Sequence, residues 1–245
     1  MGTIAKKIGI TGAGGNIGTT LQKGLSDKYD LALYDIQDIK DPKGKFIGVD
    51  LTQKKQLKGI FDGLDALIHL AGNPRPDASR QDTIRNNFVA TSYVFEEAVR
   101  AGVKKIVFAS SNFYHEGDIR LALQGKLKRL ITLDMPPTPI SLYGQSKVFG
   151  ENVGRHLANL GTQFVALRIG WTIPQDNPAM FGGAYMRAVF CSHRDLIGAF
   201  IKAIEVETEF LPAFVVSNNT RNVFDMEETK EKLGFVPEDN AEKYF

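Results

Sequence analysis

A tyrosine and a lysine lie four positions apart in the segment Tyr143-Gly144-Gln145-Ser146-Lys147. On a helix, residues at this spacing share one face. A free phenol has a pKa near 10 and is a poor base at neutral pH. An ammonium about 4 Å away contributes about 4 kcal/mol at an effective dielectric of ~20, enough to bring the pKa of the phenol close to neutral. The pair therefore predicts Tyr143 as a general base and Lys147 as the group that activates it.

A serine and an asparagine, Ser111 and Asn112, follow a short apolar run and end a predicted strand. A Tyr-x-x-x-Lys match is common by chance, and polar side chains at the end of a strand give it weight. A hydroxyl at this place can hydrogen-bond the oxygen of a substrate. We therefore predict Ser111 as a third catalytic residue, beside Tyr143 and Lys147.

Three glycines spaced three apart, Gly12, Gly15 and Gly18, lie between a predicted strand and a predicted helix. The first permits a tight turn, the second lets the backbone approach a pyrophosphate, and the third lets helix and strand pack closely. The helix N-terminus adds free N–H groups and partial positive charge. The loop, which also holds Asn16 and Ile17, is therefore predicted to bind a dinucleotide rather than to form a plain tight turn.

Asp35 ends the second predicted strand, 17 residues after the last of these glycines. A carboxylate there can accept hydrogen bonds from both ribose hydroxyls of an adenosine and would repel a 2′-phosphate, so NAD is predicted over NADP. A turn aspartate is the alternative. Further cofactor contacts are predicted where the third and fourth strands end. They are Asp50 and Leu51, where an aspartate can meet the adenine amino group, and Leu70, Ala71 and Gly72, where small residues let the cofactor lie against the backbone.

These residues need a scaffold that brings strand ends together, and the hydrophobic pattern predicts one. Short runs that are apolar almost throughout are typical of parallel strands covered on both faces. Strand and helix alternate, which predicts an α/β fold with a doubly wound (Rossmann) parallel sheet and ligands at the carboxyl ends of the strands. The predicted strands are Ile8–Thr11, Leu31–Tyr34, Phe46–Val49, Ala66–Leu70, Ile106–Ala109 and Phe164–Arg168, and the predicted helices are Thr19–Ser26, Thr83–Ala101 and Ser146–Ala158.

The α/β pattern loosens after residue 170, where prolines and glycines mark loops. We predict a dinucleotide-binding core that carries the catalytic residues over 1–170. A small substrate-side cap, not an independent domain, is predicted over 171–245. Near its end, Asp225 and Glu228 predict a capping box for a short helix that Gly234 terminates.

Composition and charge exclude several classes of protein. The 245 residues are 43% hydrophobic and 24% charged, as in folded domains rather than disordered chains or coiled-coil rods. The 30 basic and 28 acidic residues leave a net charge of +2 without a basic stripe, so no nucleic-acid partner is predicted. The longest apolar run, Phe210 to Val216, is far shorter than the ~20 residues of a membrane helix, so no membrane partner is predicted. The single Cys191 and the absence of a secretory signal predict a cytoplasmic protein.

The histidines and the cysteine show no spacing typical of metal ligands, so no metal is predicted. Cys191 lies among apolar residues and is predicted to be buried and inert. His69 lies inside an apolar strand and is predicted to be a core histidine. His193 either faces the substrate or caps a helix, and the sequence leaves both interpretations open.

Taken together, the motifs resemble those of extended short-chain dehydrogenases/reductases over nearly the whole chain. The resemblance rests on TGAGGNIG, HLAG, the pair Asn86-Asn87, FASSN, YGQSK and the final LGFVPEDN. Within that superfamily, FASSN, LYGQSKVFGEN, LRIG and CSHRDL are most similar to uronate dehydrogenases and haloarchaeal NAD-dependent glucose-6-phosphate dehydrogenases. The resemblance implies Tyr143 as base, Lys147 as its modulator and ribose ligand, and Ser111 as the polarising hydroxyl. It also implies a cofactor contact for Asn87 and a substrate contact for Asn112.

Several differences from those enzymes concern the substrate. The uronate enzymes have His where this chain has Phe113 and Ser where it has Trp171, and Arg187 lies two residues away from the expected position of their carboxylate-binding Arg. Arg75 follows the fourth strand, in a loop that resembles the glucose-6-phosphate branch; a solvated loop charge is the alternative. We predict Arg75, Phe113 and Arg187 as substrate contacts. Since a guanidinium suits a phosphate or a carboxylate, an anionic hexose is predicted, a 6-phosphate ahead of a uronate.

The predicted function is an NAD-dependent sugar dehydrogenase, in which Tyr143 removes the proton of the anomeric hydroxyl, C1 is oxidised and a lactone is released. One alternative is a nucleotide-sugar epimerase or dehydratase, which usually has a longer C-terminal part. Another is a non-catalytic dinucleotide sensor, which commonly lacks the Tyr/Lys pair. The predicted partners are a small sugar and a second copy of the chain. Extended members often dimerise through the helices that correspond to Thr83–Ala101 and to the helix of Tyr143.

Overall fold

A seven-stranded parallel sheet forms the centre of the protein in a computed structural model, which describes residues 5–245. The strands are β1 (Lys7–Thr11), β2 (Asp30–Asp35), β3 (Lys45–Gly48), β4 (Ala66–His69), β5 (Lys105–Ser111), β6 (Gln163–Ile169) and β7 (Phe210–Val215). Their order is β3-β2-β1-β4-β5-β6-β7, and neighbouring strands are parallel. The order reverses between β1 and β4, where a doubly wound sheet opens a crevice for ligands. The predicted doubly wound Rossmann fold is confirmed.

Helices cover both faces of the sheet. They are α1 (Asn16–Leu25), α2 (Arg80–Thr83), α3 (Ala90–Arg100), α4 (Glu116–Leu123), α5 (Leu142–Asn159), α6 (Gly183–Val189), α7 (His193–Glu205) and α8 (Glu227–Leu233). A π-helical segment, Ile84–Val89, joins α2 to α3. One cluster of buried side chains packs α1 and α7 on one face, through Leu21 and Phe200. A second packs α3 and α5 on the other, through Phe95 and Leu157.

Within residues 5–245, no helix combines the length and the apolar character that crossing a membrane requires.

The seventh strand is an element that the sequence-based prediction lacks. β7 contains Pro212, which has no N–H to donate and is therefore confined to edge strands. β7 lies at the edge of the sheet, where Pro212 is opposite Ala166 of β6. Residues 171–245 therefore contribute to the main sheet and are more than a substrate-side cap. The boundary at residue 170 stays a prediction.

Helices in the second half of the chain also differ from the prediction. α4, α6 and α7 are absent from it, although Ser192 marks the start of α7 by accepting a hydrogen bond from the N–H of Asp195. The capping box before α8 is wrong: Oδ1 of Asp225 accepts from the N–H of Glu227, and the helix starts without a side-chain cap. Gly234 ends α8 in the left-handed conformation, with φ of 67°, as predicted.

Helix α5 packs very close to the sheet because two of its three buried glycines lie against rings of β5 and β6. A Cβ on Gly150 would lie 2.4 Å from the ring of Phe108 on β5. A Cβ on Gly154 would lie 2.2 Å from the ring of Phe164 on β6. Since α5 also carries the predicted pair of Tyr143 and Lys147, this packing sets how near the pair comes to β5.

Replacing Gly154 with Ala should destabilise the fold, because the new methyl group overlaps the buried ring of Phe164. Overpacking of a core costs about 1–3 kcal/mol. Gly198 in α7 is the matched control, since a Cβ there meets nothing within 4 Å. Gly198→Ala should stabilise the protein by up to about 1 kcal/mol. The free energy of unfolding in urea measures both, and a Gly154→Ala variant as stable as the wild type would contradict the packing.

Candidate active site

One cleft of about 1050 Å³ opens at the carboxyl ends of β1, β2, β4, β5 and β6. Most residues that the sequence predicts for the site line it. They are Gly12, Gly15, Asn16, Ile17, Gly18, Asp35, Asp50, Leu51, Leu70, Ala71, Gly72, Ser111, Asn112, Phe113 and Tyr143. Arg75, Asn87, Lys147 and Arg187 do not line it. The sheet edge thus brings the predicted cofactor loop and two of the three predicted catalytic residues into one cavity.

The loop after β1 has room only for glycine at two positions. Gly12 has a φ of 69°, and a Cβ there would lie 2.8 Å from the backbone of Ala71. A Cβ on Gly18 would lie 2.4 Å from the carbonyl oxygen of Ala13. Helix α1 follows with Gly15 at its N-cap, and no side chain caps its first N–H groups. These groups are left for a ligand, in a cradle of the kind that a dinucleotide pyrophosphate occupies.

Two side chains tie this loop to its surroundings. Asp35, the last residue of β2, accepts hydrogen bonds from the N–H groups of Gly14 at 2.8 Å and Gln37 at 3.1 Å. Asn16 donates to the carbonyl oxygen and the hydroxyl of Thr172, at 3.2 and 3.1 Å. The carboxylate of Asp35 is therefore held at the cleft wall, and the loop is joined to the segment that follows β6.

Asp50 belongs to a polar cluster at the same end of the cleft. The N–H and the hydroxyl of Thr52 donate to its Oδ1 at 2.9 and 2.7 Å, and the guanidinium of Arg85 lies 3.5 Å from its Oδ2. Burial raises the pKa of Asp50, but the hydrogen bonds from Thr52 and Gln53 and the charge of Arg85 lower it by more. The carboxylate is therefore ionised at neutral pH. Sequence reasoning missed Arg85, because nothing in its neighbourhood distinguishes it from a solvated helix charge.

Tyr143 lies in the first turn of α5, and a glycine brings that turn close to β5. Ser141 caps the helix, and its hydroxyl accepts from the N–H of Gly144 at 3.1 Å. A Cβ on Gly144 would lie 2.6 Å from the carbonyl oxygen of Phe113. The rings of Tyr143 and Phe113 meet edge to face, with centroids 5.5 Å apart. Ser111, at the end of β5, lines the same cleft as Tyr143, so the structure brings the predicted base and the predicted polarising hydroxyl to one cavity.

The electrostatics of the Tyr143–Lys147 pair differ from the sequence-based expectation. Burial raises the pKa of Tyr143, and the nearby hydroxyl of Ser111 lowers it by less. Burial also lowers the pKa of Lys147 to about 8. Nζ of Lys147 donates to the carbonyl oxygen of Ala109 at 2.8 Å and lies 5.3 Å from the centroid of the Tyr143 ring. The prediction that Lys147 brings the phenol pKa close to neutral is wrong for this arrangement, because desolvation opposes charge on both groups.

A buried ion pair holds α5 against the sheet. Arg168 on β6 donates from Nε and Nη2 to the two carboxylate oxygens of Glu151 on α5, at 3.1 and 2.9 Å. Ser110 on β5 donates to Oε1 of the same carboxylate at 2.5 Å. Both charged side chains are almost fully buried. Sequence reasoning missed this pair, because neither residue carries a local sign of a partner 17 positions away.

Hydrogen bonds between two asparagines hold the loop after β4, and the carboxylate of Asp82 lies beside it. The N–H of Asn73 donates to Oδ1 of Asn87 at 2.7 Å, and Nδ2 of Asn87 donates back to the carbonyl oxygen of Asn73 at 2.9 Å. The side-chain amides of Asn73 and Asn86 both donate to Asp82. Asn73, Asp82 and Asn86 line the cleft, whereas Asn87 positions the loop from behind. Asp82 is a cleft residue that the sequence did not single out.

Neither arginine that the sequence predicts for the substrate lines the cleft. Arg75 pairs with Asp77 at 3.2 Å, and its side chain is 72% exposed, although the prolines on both sides of it line the cleft. Arg187 on α6 pairs with Glu242 at 3.1 Å and stacks on the ring of Phe245. Both guanidinium groups are therefore engaged by carboxylates of the chain itself, and the structure does not bring them together around a substrate.

Asn112 connects the end of β5 to α6. Its Oδ1 accepts from the hydroxyl of Ser111 at 3.2 Å, and its Nδ2 donates to the hydroxyl of Tyr185 at 2.6 Å. Tyr185 and Trp171 also line the cleft. Sequence reasoning missed Tyr185, because the loop-like composition around it concealed α6.

The remaining candidates have structural roles. His69 is buried between the hydroxyls of Thr11 and Thr91, at 2.7 and 3.0 Å, and burial lowers its pKa to about 3, so the predicted core histidine is confirmed. The ring of His193 bonds a backbone carbonyl oxygen of the loop after β6, which favours the structural interpretation. Cys191 is buried, as predicted, and burial raises the pKa of its thiol. The described part of the chain contains no group of three or more His, Cys, Asp or Glu that could hold a metal.

Most of the chain matches one known protein family. The sequence profile of the NAD-dependent epimerase/dehydratase family matches residues 8–178. The matched region includes the glycine loop, Asp35 and all three predicted catalytic residues.

Individual proteins similar to this chain act on sugars. The chain is 32% identical to the NAD-dependent glucose-6-phosphate dehydrogenase of Haloferax volcanii, over 96% of this chain and 94% of that protein. It is 29% identical to L-arabinose 1-dehydrogenase (NAD(P)(+)) of the same organism, over 96% and 97%. A crystal structure of a uronate dehydrogenase variant from Agrobacterium tumefaciens, complexed with NAD, matches with a TM-score of 0.83 and 25% identity, covering 98% of this chain and 87% of that chain.

The buried Lys147 predicts a pH dependence of stability. Its pKa falls from 10.5 to about 8 on folding. Below pH 8 both states hold the proton and the burial penalty is fully present. Between pH 8 and 10.5 the folded state releases the proton first, so this penalty disappears as the pH rises.

The free energy of unfolding should therefore rise between about pH 7.5 and pH 10 by about 2 kcal/mol more in the wild type than in Lys147→Met. Denaturant titrations of both proteins at the two pH values measure the difference. Equal changes in the two proteins would show that the ammonium is not desolvated in the fold.

Proposed function

The chain belongs to the NAD-dependent epimerase/dehydratase family, and we propose that it is a dehydrogenase that oxidises C1 of a free sugar to the lactone. The observation that carries this proposal is that Tyr143 and Ser111 line the same cleft as the glycine loop. A proton acceptor and a hydroxyl donor are what the oxidation of an alcohol requires of a protein. The sugar dehydrogenases among the similar proteins support a sugar as the alcohol.

The cleft fits NAD as the cofactor. The free N–H groups at the start of α1 suit the pyrophosphate, and the carboxylates of Asp35 and Asp50 suit the ribose and the adenine. Bound NAD supplies the oxidising power, since it accepts the C1 hydrogen together with its electron pair. A 2′-phosphate would meet the negative charge of Asp35, which the N–H of Gly14 holds in place. NAD is therefore favoured over NADP.

The residues of the chain itself move the proton. In its phenolate form, Tyr143 accepts the proton of the C1 hydroxyl, and the hydroxyl of Ser111 hydrogen-bonds the same oxygen. The ammonium of Lys147, 5.3 Å from the ring, favours the phenolate. Since burial raises the pKa of the phenol, the basic form becomes more populated as the pH increases. Sugar oxidation should therefore accelerate with rising pH through neutrality.

The sequence further predicts that the hexose is anionic, a hexose 6-phosphate or a hexuronate. Similarity to a glucose-6-phosphate dehydrogenase and to a uronate dehydrogenase supports this. To bind the anion, Arg75 or Arg187 would have to leave its carboxylate partner. An exposed ion pair such as that of Arg75 contributes little to stability and is easily exchanged. Binding of an anionic sugar therefore requires Arg75 to leave Asp77 and turn toward the cleft.

We also propose that the protein forms a homodimer through α3 and α5 and that it is cytoplasmic. The free, buried Cys191 suits a reducing compartment. The two helices are those through which extended short-chain dehydrogenases often pair. Sedimentation velocity of the purified protein tests the dimer.

NADH formation from a panel of free sugars tests the enzymatic proposal. The wild type should release NADH in proportion to the sugar consumed. Tyr143→Phe should bind NAD almost unchanged and lose about 10²–10⁴-fold in kcat, because only the base is removed. A variant near wild-type activity would place the base elsewhere. Product without net NADH would indicate an epimerase or dehydratase, and NAD binding without turnover would indicate a sensor.

The wild type should prefer NAD over NADP by at least about tenfold in kcat/KM, or about 1.4 kcal/mol. Asp35→Ser should narrow that preference, because it removes the charge that repels the 2′-phosphate. Asp50→Asn is the control and should weaken both cofactors alike. A wild-type preference for NADP would overturn the assignment of Asp35.

A further inference from the structure

We infer that the sugar end of the cleft accepts an uncharged aldose whose apolar C–H face packs against Trp171. The sugar end is the part of the cleft around Tyr143 and Ser111. Its other residues are Asn112, Phe113, Gly170, Trp171, Thr172 and Tyr185. The inference rests on the proposed function, because it names the substrate class of the same site.

An aromatic wall lines the sugar end. Trp171 is 41% exposed, and its ring centroid lies 5.7 Å from that of Tyr185 and 5.7 Å from that of Phe181. Its backbone is held on both sides: its N–H donates to the carbonyl oxygen of Val189 at 2.8 Å, and its carbonyl oxygen accepts from the N–H of Cys191 at 3.0 Å. A large ring at a cleft wall, on a backbone fixed by hydrogen bonds, offers a flat apolar surface to a ligand.

The polar groups at the sugar end are uncharged acceptors and donors. They include the hydroxyls of Ser111 and Tyr143 and the amide of Asn112, which is buried. Such groups bind sugar hydroxyls without selecting for a charge. Two aromatic rings, those of Phe113 and Trp171, line this end of the cleft beside these groups. Such a surface favours the carbon skeleton of a sugar over an acidic substituent.

The charges in the cleft oppose an anionic sugar. In the part of the chain that the structure describes, Lys40 is the one Lys, Arg or His that lines the cleft, and it lies in the segment after β2, on the adenosine side. Lys147 is buried behind the cleft wall and donates to a backbone carbonyl oxygen. Asp82, by contrast, lines the cleft with its carboxylate held by two amides. A phosphate or carboxylate would lose hydration without gaining a guanidinium partner.

Initial rates of NADH formation under one set of conditions test the charge preference. The matched pairs are glucose with glucose 6-phosphate, glucose with glucuronate, and galactose with galacturonate, and xylose and arabinose extend the neutral series. The neutral member of each pair should have a kcat/KM at least about tenfold higher. A more efficient anionic member would overturn the inference and leave the dehydrogenase proposal intact. If no sugar yields NADH, the proposed function itself fails, and the inference fails with it.

Variants of Trp171 test the stacking surface on the best neutral sugar. Trp171→Ala should raise KM by about tenfold or more with a small change in kcat, because binding area is lost and the base is not. Trp171→Phe, which keeps a ring, should recover most of the affinity and guards against a misfolded alanine variant. Met180→Ala is the control, since Met180 is exposed in the same segment and does not line the cleft. An unchanged KM in Trp171→Ala would remove the tryptophan from the sugar site.

Discussion

The buried pairing of Arg168 with Glu151 is the constraint on which the site depends most. It joins β6 to α5 by two parallel hydrogen bonds, with Ser110 of β5 bonded to the same carboxylate. Breaking such a pair leaves a buried charge without a partner and costs about 3–5 kcal/mol. Helix α5 therefore cannot slide along the sheet. Because its first turn carries Tyr143, the ion pair fixes the predicted base in the cleft near Ser111, at the end of β5.

Close packing of α5 also determines the electrostatics of the predicted catalytic residues Tyr143 and Lys147. Gly150 and Gly154 let the helix lie against the rings of β5 and β6, and Gly144 lets its first turn approach the backbone of Phe113. Burial against the sheet disfavours the charged forms of both Tyr143 and Lys147.

The similarity to sugar dehydrogenases supports the cofactor and the chemistry more firmly than it supports a particular sugar. One fold can host several substrates, because specificity depends on the side chains at the site. The similar proteins are named for a sugar phosphate, a neutral pentose and a uronate. In this chain, the side chains that line the cleft beside Tyr143 and Ser111 include Phe113, after β5, and Trp171 and Tyr185, after β6.

Sequence patterns alone predict the glycine loop, Asp35, the Tyr143–Lys147 pair and the first six strands, because each depends on residues that are close along the chain. Which charged side chains pair depends instead on contacts between distant parts of the chain. Arg168 forms a buried ion pair with Glu151, whereas Arg75 and Arg187 pair with carboxylates outside the cleft. No local sequence pattern distinguishes the arginine that is buried from the two that are not. Burial likewise set the pKa of Lys147, since a spacing of four residues specifies a helix face and not the water around it. The contact between the rings of Trp171 and Tyr185 depends on how α6 packs beside β6. That packing is set by contacts between parts of the chain that are distant in sequence.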